Sequence, residues 1–147
     1  YEGLPWFTGA LVASGALPDW RILSLAALYS AGAHGIMTLN DFKSIEGDRQ
    51  MGIRTIPVQL GAERAALFAC VVMAVPQVVV AALLYAWGAP VHAAIVVVFI
   101  AVQIACMKRL LSDPKALAPW YNATGVTLYV FGMLASAFAV RSILGGG

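Results

Sequence analysis

Apolar and polar residues in this chain are sorted into long blocks. Positions 65 to 107 carry no charged side chain at all. A helix rises about 1.5 Å per residue, so that run is roughly twice what a ~30 Å hydrocarbon core needs. It has to turn back on itself, and Gly88-Ala89-Pro90 is the Gly/Pro cluster near its middle. The pattern predicts one helix from about Glu63 to Trp87 and another from about Val91 to Met107. Two further apolar blocks, Ile22–Leu39 and Pro119–Val140, also have spanning length, and Leu4–Leu17 is apolar but shorter. Breaks are expected near Pro18, within 50–62, at Gly88–Pro90 and at Ser112–Pro114. Pro76 is expected inside its helix and should kink it, because proline removes one backbone hydrogen bond. The predicted fold is all-α: a polytopic transmembrane bundle of about five membrane helices. It forms one domain over residues 1–147, interrupted by a polar loop at 40–62.

Composition removes the soluble alternative. Hydrophobic residues make up 61% and charged residues 11% of the chain, against roughly 25% charged in a soluble domain. The mean hydropathy is +0.84. Cys70 and Cys106 lie inside apolar runs, where thiols behave as small hydrophobes and suggest neither a disulfide framework nor a metal knuckle. The placement of charge says more than its sum. Lys43, Arg49, Arg54, Arg64, Lys108, Arg109 and Lys115 flank the loops on one side, and Arg21 and Arg141 the other. By the positive-inside rule the 40–62 and 112–118 segments face the cytoplasm and the C-terminus lies outside. The chain enters its first apolar stretch without an initiator Met or a basic leader, as expected at a fragment boundary.

The stretch from Asn40 to Arg54 breaks the apolar background with Asp41, Glu46, Asp48, Lys43, Arg49 and Arg54. If the second span continues as a helix past Leu39, Asp41, Ser44 and Asp48 share one face at i, i+3 and i+7. Two carboxylates with a hydroxyl between them suit a hard cation. Magnesium fits best, since it takes a few carboxylates and completes its shell with water and phosphate. Lys43, Arg49 and Arg54 would meet phosphate charge that the metal leaves uncovered. The competing reading is an ordinary mixed-charge loop between spans. His34 sits in the second span beside Gly32 and Gly35, whose missing side chains would let a flat ligand approach the backbone. A histidine bonded to a neighbouring helix is the stronger explanation.

Asn-Asp-Phe-Lys-Ser-Ile-Glu-Gly-Asp-Arg at 40–49 and Gly-Ile-Arg-Thr-Ile-Pro-Val-Gln-Leu-Gly at 52–61 resemble the second aspartate-rich motif of the UbiA-type intramembrane prenyltransferases. The stretches 1–7 and 118–125 resemble the same superfamily, in its chlorophyll synthase branch, purple-bacterial members included. The resemblance implies a nine-helix enzyme of which this chain supplies the last five helices. It implies two aspartate motifs on facing cytoplasmic loops, the first of them in a missing N-terminal half. The implied reaction esterifies the propionate of (bacterio)chlorophyllide with a geranylgeranyl or phytyl chain from a prenyl diphosphate, in a bacterial photosynthetic inner membrane. Asp41 and Asp48 would be catalytic, and Asp41, Glu46 and Asp48 would hold Mg2+. Lys43, Arg49 and Arg54 would bind diphosphate. Asn40, Ser44, His34, Tyr121 and Asn122 are the weaker candidates for the substrate pocket, and Phe42, Trp120 and Tyr121 for facing an allylic cation. Many relatives carry Asp where Ser44 stands, which leaves open which acids touch the metal. The alternative function is a non-catalytic pigment-binding or assembly subunit with the same fold, and pigment-assembly factors are possible partners in either case.

Overall fold

The computed structural model describes residues 3–145; Tyr1 and Glu2, which open one of the resembling stretches, lie outside them. Seven α-helices follow in order: α1 (Gly3–Ser14), α2 (Trp20–Asn40), α3 (Ile45–Gln50), α4 (Ile56–Leu60), α5 (Ala62–Ala86), α6 (Pro90–Leu110) and α7 (Pro114–Gly145). A 3-10 turn, Asp41–Lys43, joins α2 to α3. No strand occurs among the described residues. Four helices are long and apolar enough to cross a membrane: α2 with its 3-10 extension, α5, α6 and α7. The expected fifth, α1, has only 12 residues.

The long helices pack around one core. α2 lies on α5, α5 on α6, α6 on α7 and α7 back on α2, with α1 against α2. Leu25, Tyr29, Met73, Val80, Leu84, Val96, Tyr121 and Tyr129 are fully buried there. The outward faces are no less apolar: Leu67, Val71, Val75, Val78, Val97, Val98, Phe131 and Leu134 are all exposed. A helix that is apolar all round suits lipid, and this is why the sequence showed blocks rather than an amphipathic period.

The breaks form where the punctuation predicts. Gly88 has φ 84°, and the Gly88 and Ala89 amides donate to the Tyr85 and Leu84 carbonyls at 3.1 and 2.9 Å. This Schellman turn ends α5, and Pro90, which needs no amide partner, opens α6. α5 runs through Pro76 without interruption. α7 begins five residues before the predicted Pro119. Asp113 caps it, accepting from the Ala116 amide at 3.2 Å, with Pro114 in the first position.

Two features of the interior were not visible in the apolar pattern. Gln77 and Gln103 are 0% and 1% exposed. Gln77 Nε2 donates to Met73 O at 2.9 Å and to Gln103 Oε1 at 2.6 Å, and Gln103 Nε2 donates to Gly125 O at 2.7 Å. This chain of amides ties α5, α6 and α7 together. Tyr129 donates to Tyr29 O at 2.6 Å, and Tyr29 shares a 2.8 Å hydrogen bond with Ser136, tying α2 to α7. Lipid competes well for apolar contacts, so polar bonds and close backbone approach supply much of the specificity in membrane bundles.

Candidate active site

The polar stretch after α2 folds into three short helical pieces rather than one extended helix. The 3-10 turn tightens the backbone at Asp41–Lys43, and Ser44, with φ −110° and ψ 1°, breaks the register before α3. The single continuous helix expected to align Asp41, Ser44 and Asp48 is therefore replaced by a kinked one. Asp48 nevertheless comes back to Ser44, whose hydroxyl donates to Asp48 Oδ2 at 2.8 Å.

A second hydroxyl reaches the same oxygen. α3 ends in a Schellman turn at Gly52, φ 71°, where the Ile53 amide donates to Asp48 O at 2.8 Å and the Gly52 amide to Arg49 O at 3.3 Å. The reversal carries the chain back past Asp48, and Thr55 Oγ1 donates to Asp48 Oδ2 at 3.3 Å. Asp48 is 7% exposed. Burial at that level is costly for a carboxylate without donors, and the two hydroxyls provide them. Asp41 is half-buried seven residues earlier, in the 3-10 turn that leads into α3.

Glu46 takes a different part. It is exposed and pairs with Lys115 at 2.9 Å and Arg49 at 3.4 Å. Lys115 holds its carboxyl below the ordinary glutamate range, with Arg49 adding to the effect. The described residues contain no group of three His, Cys, Asp or Glu side chains able to close on one metal. The expected trio of Asp41, Glu46 and Asp48 is not drawn together in this structure: Lys115 and Arg49 engage Glu46. Lys43 and Arg54 are exposed at the same end of the bundle.

The weaker candidates separate. Asn122 Nδ2 donates to Asn40 Oδ1 at 3.0 Å, joining α7 to the end of α2. Both residues line a cleft of about 130 Å³ with Lys43, Lys115, Phe42 and Pro119. Tyr121 is 0% exposed and sits in the core of the described residues. Phe42 is buried as well, and Trp120 stacks under the Arg109 guanidinium at 4.4 Å. His34 is exposed on α2, its Nδ1 within 3.1 Å of Ser30 O and 3.2 Å of Ala31 O. The glycines beside it are already occupied. Gly32 faces the Tyr129 hydroxyl, and a Cβ on Gly35 would lie 2.6 Å from Ala69 O. They admit neighbouring helices, not a flat ligand.

The arrangement offers two acidic side chains, one rigidly held, with three basic side chains beside them at the end of an apolar bundle. Comparison with known proteins supplies the family. The sequence model of the UbiA prenyltransferase family matches residues 3–131. The chain belongs to this family. It is 57% identical over 143 residues to the bacteriochlorophyll synthase 33 kDa chain of Cereibacter sphaeroides, covering 97% of this chain and 47% of that one. It is 49% identical to the corresponding Rhodobacter capsulatus chain, covering 96% and 47%, and 36% identical to chloroplastic chlorophyll synthase of Arabidopsis thaliana, covering 95% and 36%. The chain thus spans about half, or less, of the length of these relatives. No solved structure matches it. Within this UbiA-family chain the sequence reading missed Thr55 and Lys115. Gly52 was the available signal for Thr55, because a helix that stops on glycine turns its continuation back on itself. Nothing local pointed to Lys115, whose partner is 69 residues away.

Proposed function

We propose that this chain forms part of an intramembrane prenyltransferase that esterifies the propionate of (bacterio)chlorophyllide with a geranylgeranyl or phytyl chain. The observation that carries the reading is the buried Asp48, held by Ser44 and Thr55, in one short segment with half-buried Asp41 and exposed Lys43, Arg49 and Arg54, in a UbiA-family chain 57% identical to a bacteriochlorophyll synthase chain. Asp41 and Asp48 are the residues that would hold Mg2+, and both are oxygen donors of the kind that ion accepts. Bound there, Mg2+ would supply neutralising charge to the diphosphate. Glu46 is left out of this set because Lys115 and Arg49 hold it.

The chain's own residues act on binding and on the leaving group. Lys43 and Arg54 donate to phosphate oxygens, and Arg49 does so when it leaves Glu46. Donors placed where charge builds up stabilise the departing diphosphate. As the C1–O bond to diphosphate breaks, diphosphate takes the electron pair, and a pigment carboxylate oxygen bonds to the allylic C1. The apolar helices keep water from that carbon. The remaining part of the enzyme supplies the other aspartate motif and the rest of the pocket. The site faces the cytoplasm in a bacterial photosynthetic membrane.

Asp48→Asn and Asp41→Asn in the full-length protein test this reading. Conversion of bacteriochlorophyllide to esterified pigment in membranes, normalised to intact protein, should fall about 10²–10³-fold in each. Near-normal turnover in both variants would reject the loop as the diphosphate site and favour a pigment-binding subunit.

A further inference from the structure

Two helix N-caps in this site bond a side chain rather than a first-turn amide. Ser44 precedes α3 and Thr55 precedes α4, and both are residue types that ordinarily accept a hydrogen bond from an amide in the first turn. Neither side chain does so. Both hydroxyls instead donate to one atom, Asp48 Oδ2, at 2.8 and 3.3 Å. Ser44 Oγ also lies 3.1 Å from Asp41 O, but the shorter, charge-assisted bond is to the carboxylate. The Ile53 amide fixes the backbone of the same residue through Asp48 O at 2.8 Å. One buried carboxylate is therefore gripped from three sides by segments on both sides of the Gly52 turn.

We infer that Ser44 and Thr55 are positioning residues, which hold Asp48 by Oδ2 and so leave Oδ1 as the oxygen offered to a divalent cation. This rests on the reading of Asp48 as a metal-holding residue. Partners that orient a ligand are worth as much to a site as the ligand's own chemistry, because an acid free to rotate must be ordered each time the ion binds. The Gly52 reversal is part of the device: without it Thr55 would not reach an acid seven residues earlier. Thr55 thus couples the folding of the 51–55 return segment to the readiness of the site.

The test uses the full-length protein in detergent, with Mn2+ alone as the probe and the unbound ion read by electron paramagnetic resonance. Thr55→Val keeps the shape and removes the hydroxyl, and Thr55→Ser keeps the hydroxyl. Thr55→Val should weaken Mn2+ binding about tenfold, Thr55→Ser should restore it, and Ser44→Ala should weaken it at least as much as Thr55→Val. Asp48→Asn should abolish binding at this site. Wild-type affinity in Thr55→Val and Ser44→Ala, with loss in Asp48→Asn, overturns the positioning role while the metal site stands. Unchanged binding in Asp48→Asn overturns both. A hydroxyl that served stability alone would lower the unfolding midpoint and leave the affinity of the folded protein unchanged, which also overturns the inference. Should Thr55→Val fail to accumulate, Ser44→Ala with Ser44→Thr as its hydroxyl-keeping counterpart decides the question.

Discussion

Lys115 Nζ lies 2.9 Å from Glu46 Oε1, across 69 residues of sequence and two membrane-length helices. The contact brings the start of α7 to the segment that carries Asp41 and Asp48. It also puts the 40–62 and 112–118 segments at the same end of the bundle, as the distribution of basic residues predicted. The opposite end is marked by Trp20 and Trp87, whose rings meet edge to face with centroids 5.4 Å apart.

This proximity is open to cross-linking. With Cys70 and Cys106 replaced by Ala, Glu46→Cys and Lys115→Cys should be joined within one chain by a short bifunctional maleimide in native membranes. No intramolecular product would contradict the Glu46–Lys115 contact. Single cysteines at Ser44 and Lys115 should also label from one side of sealed vesicles, the cytoplasmic side, and labelling from opposite sides would refute the topology.

The same ion pair has a pH signature. Lys115 and Arg49 depress the Glu46 pKa, so the pair stabilises the folded state above the ordinary glutamate value and is lost as pH falls through the lowered one. The difference in unfolding midpoint between the wild type and Glu46→Gln should therefore persist at neutral pH and close in acid below the glutamate range. Both side chains are largely exposed, so the difference should be small and should shrink with added salt.

The glutamine chain should matter more to stability than its polar character suggests. Gln103→Leu breaks two interhelical bonds at once, to Gln77 and to Gly125 O. Bonds of this type within membranes are worth about 0.6–2 kcal/mol each, so a loss of about 1–4 kcal/mol is expected in denaturant titrations. Gln77→Leu combined with Gln103→Leu should cost less than the two single losses added together, because the bond between them is counted twice. Strict additivity would show that the amides are not coupled.

Gly35 and Gly32 should resist even a methyl group. At Gly35 a Cβ meets the backbone oxygen of Ala69 at 2.6 Å, which cannot yield unless α2 moves off α5. At Gly32 it meets the Tyr129 hydroxyl, at the end of a side chain bound to α2. Gly35→Ala should destabilise by about 1–3 kcal/mol, the usual cost of overpacking. If it is instead neutral or stabilising, α2 and α5 are not in contact as described.

Tyr121 separates core from pocket. Its hydroxyl is buried and has no hydrogen-bond partner among the described residues, and its ring lies over Gly125. Tyr121→Phe should leave both stability and prenyl transfer nearly unchanged, since it removes a polar group that makes no bond. Tyr121→Ala should cost about 3–5 kcal/mol, as for a large aromatic deleted from a core. A marked loss of turnover in Tyr121→Phe, with stability intact, would return the residue to the substrate site.

What the sequence determined by itself follows from short-range physics. Uncharged runs long enough to cross lipid set the four spans, because an unpaired charge or open backbone is too costly there. Gly88-Ala89-Pro90 and Asp113-Pro114 set two of the turns, since glycine accepts positive φ and proline needs no amide partner. The acidic motif was legible because its residues sit within one stretch of chain. Tertiary structure decided the rest. Lys115 diverted Glu46 from Asp41 and Asp48, Tyr121 went to the core, and Gly32 and Gly35 were filled by Tyr129, Met73 and Ala69. Gln77 and Gln103, unremarkable within their apolar runs, became the link between three helices. In a chain that is apolar on every face, hydropathy places helices in the membrane but does not say which faces meet. That choice belongs to close backbone approach and to polar atoms that can be satisfied only by one another.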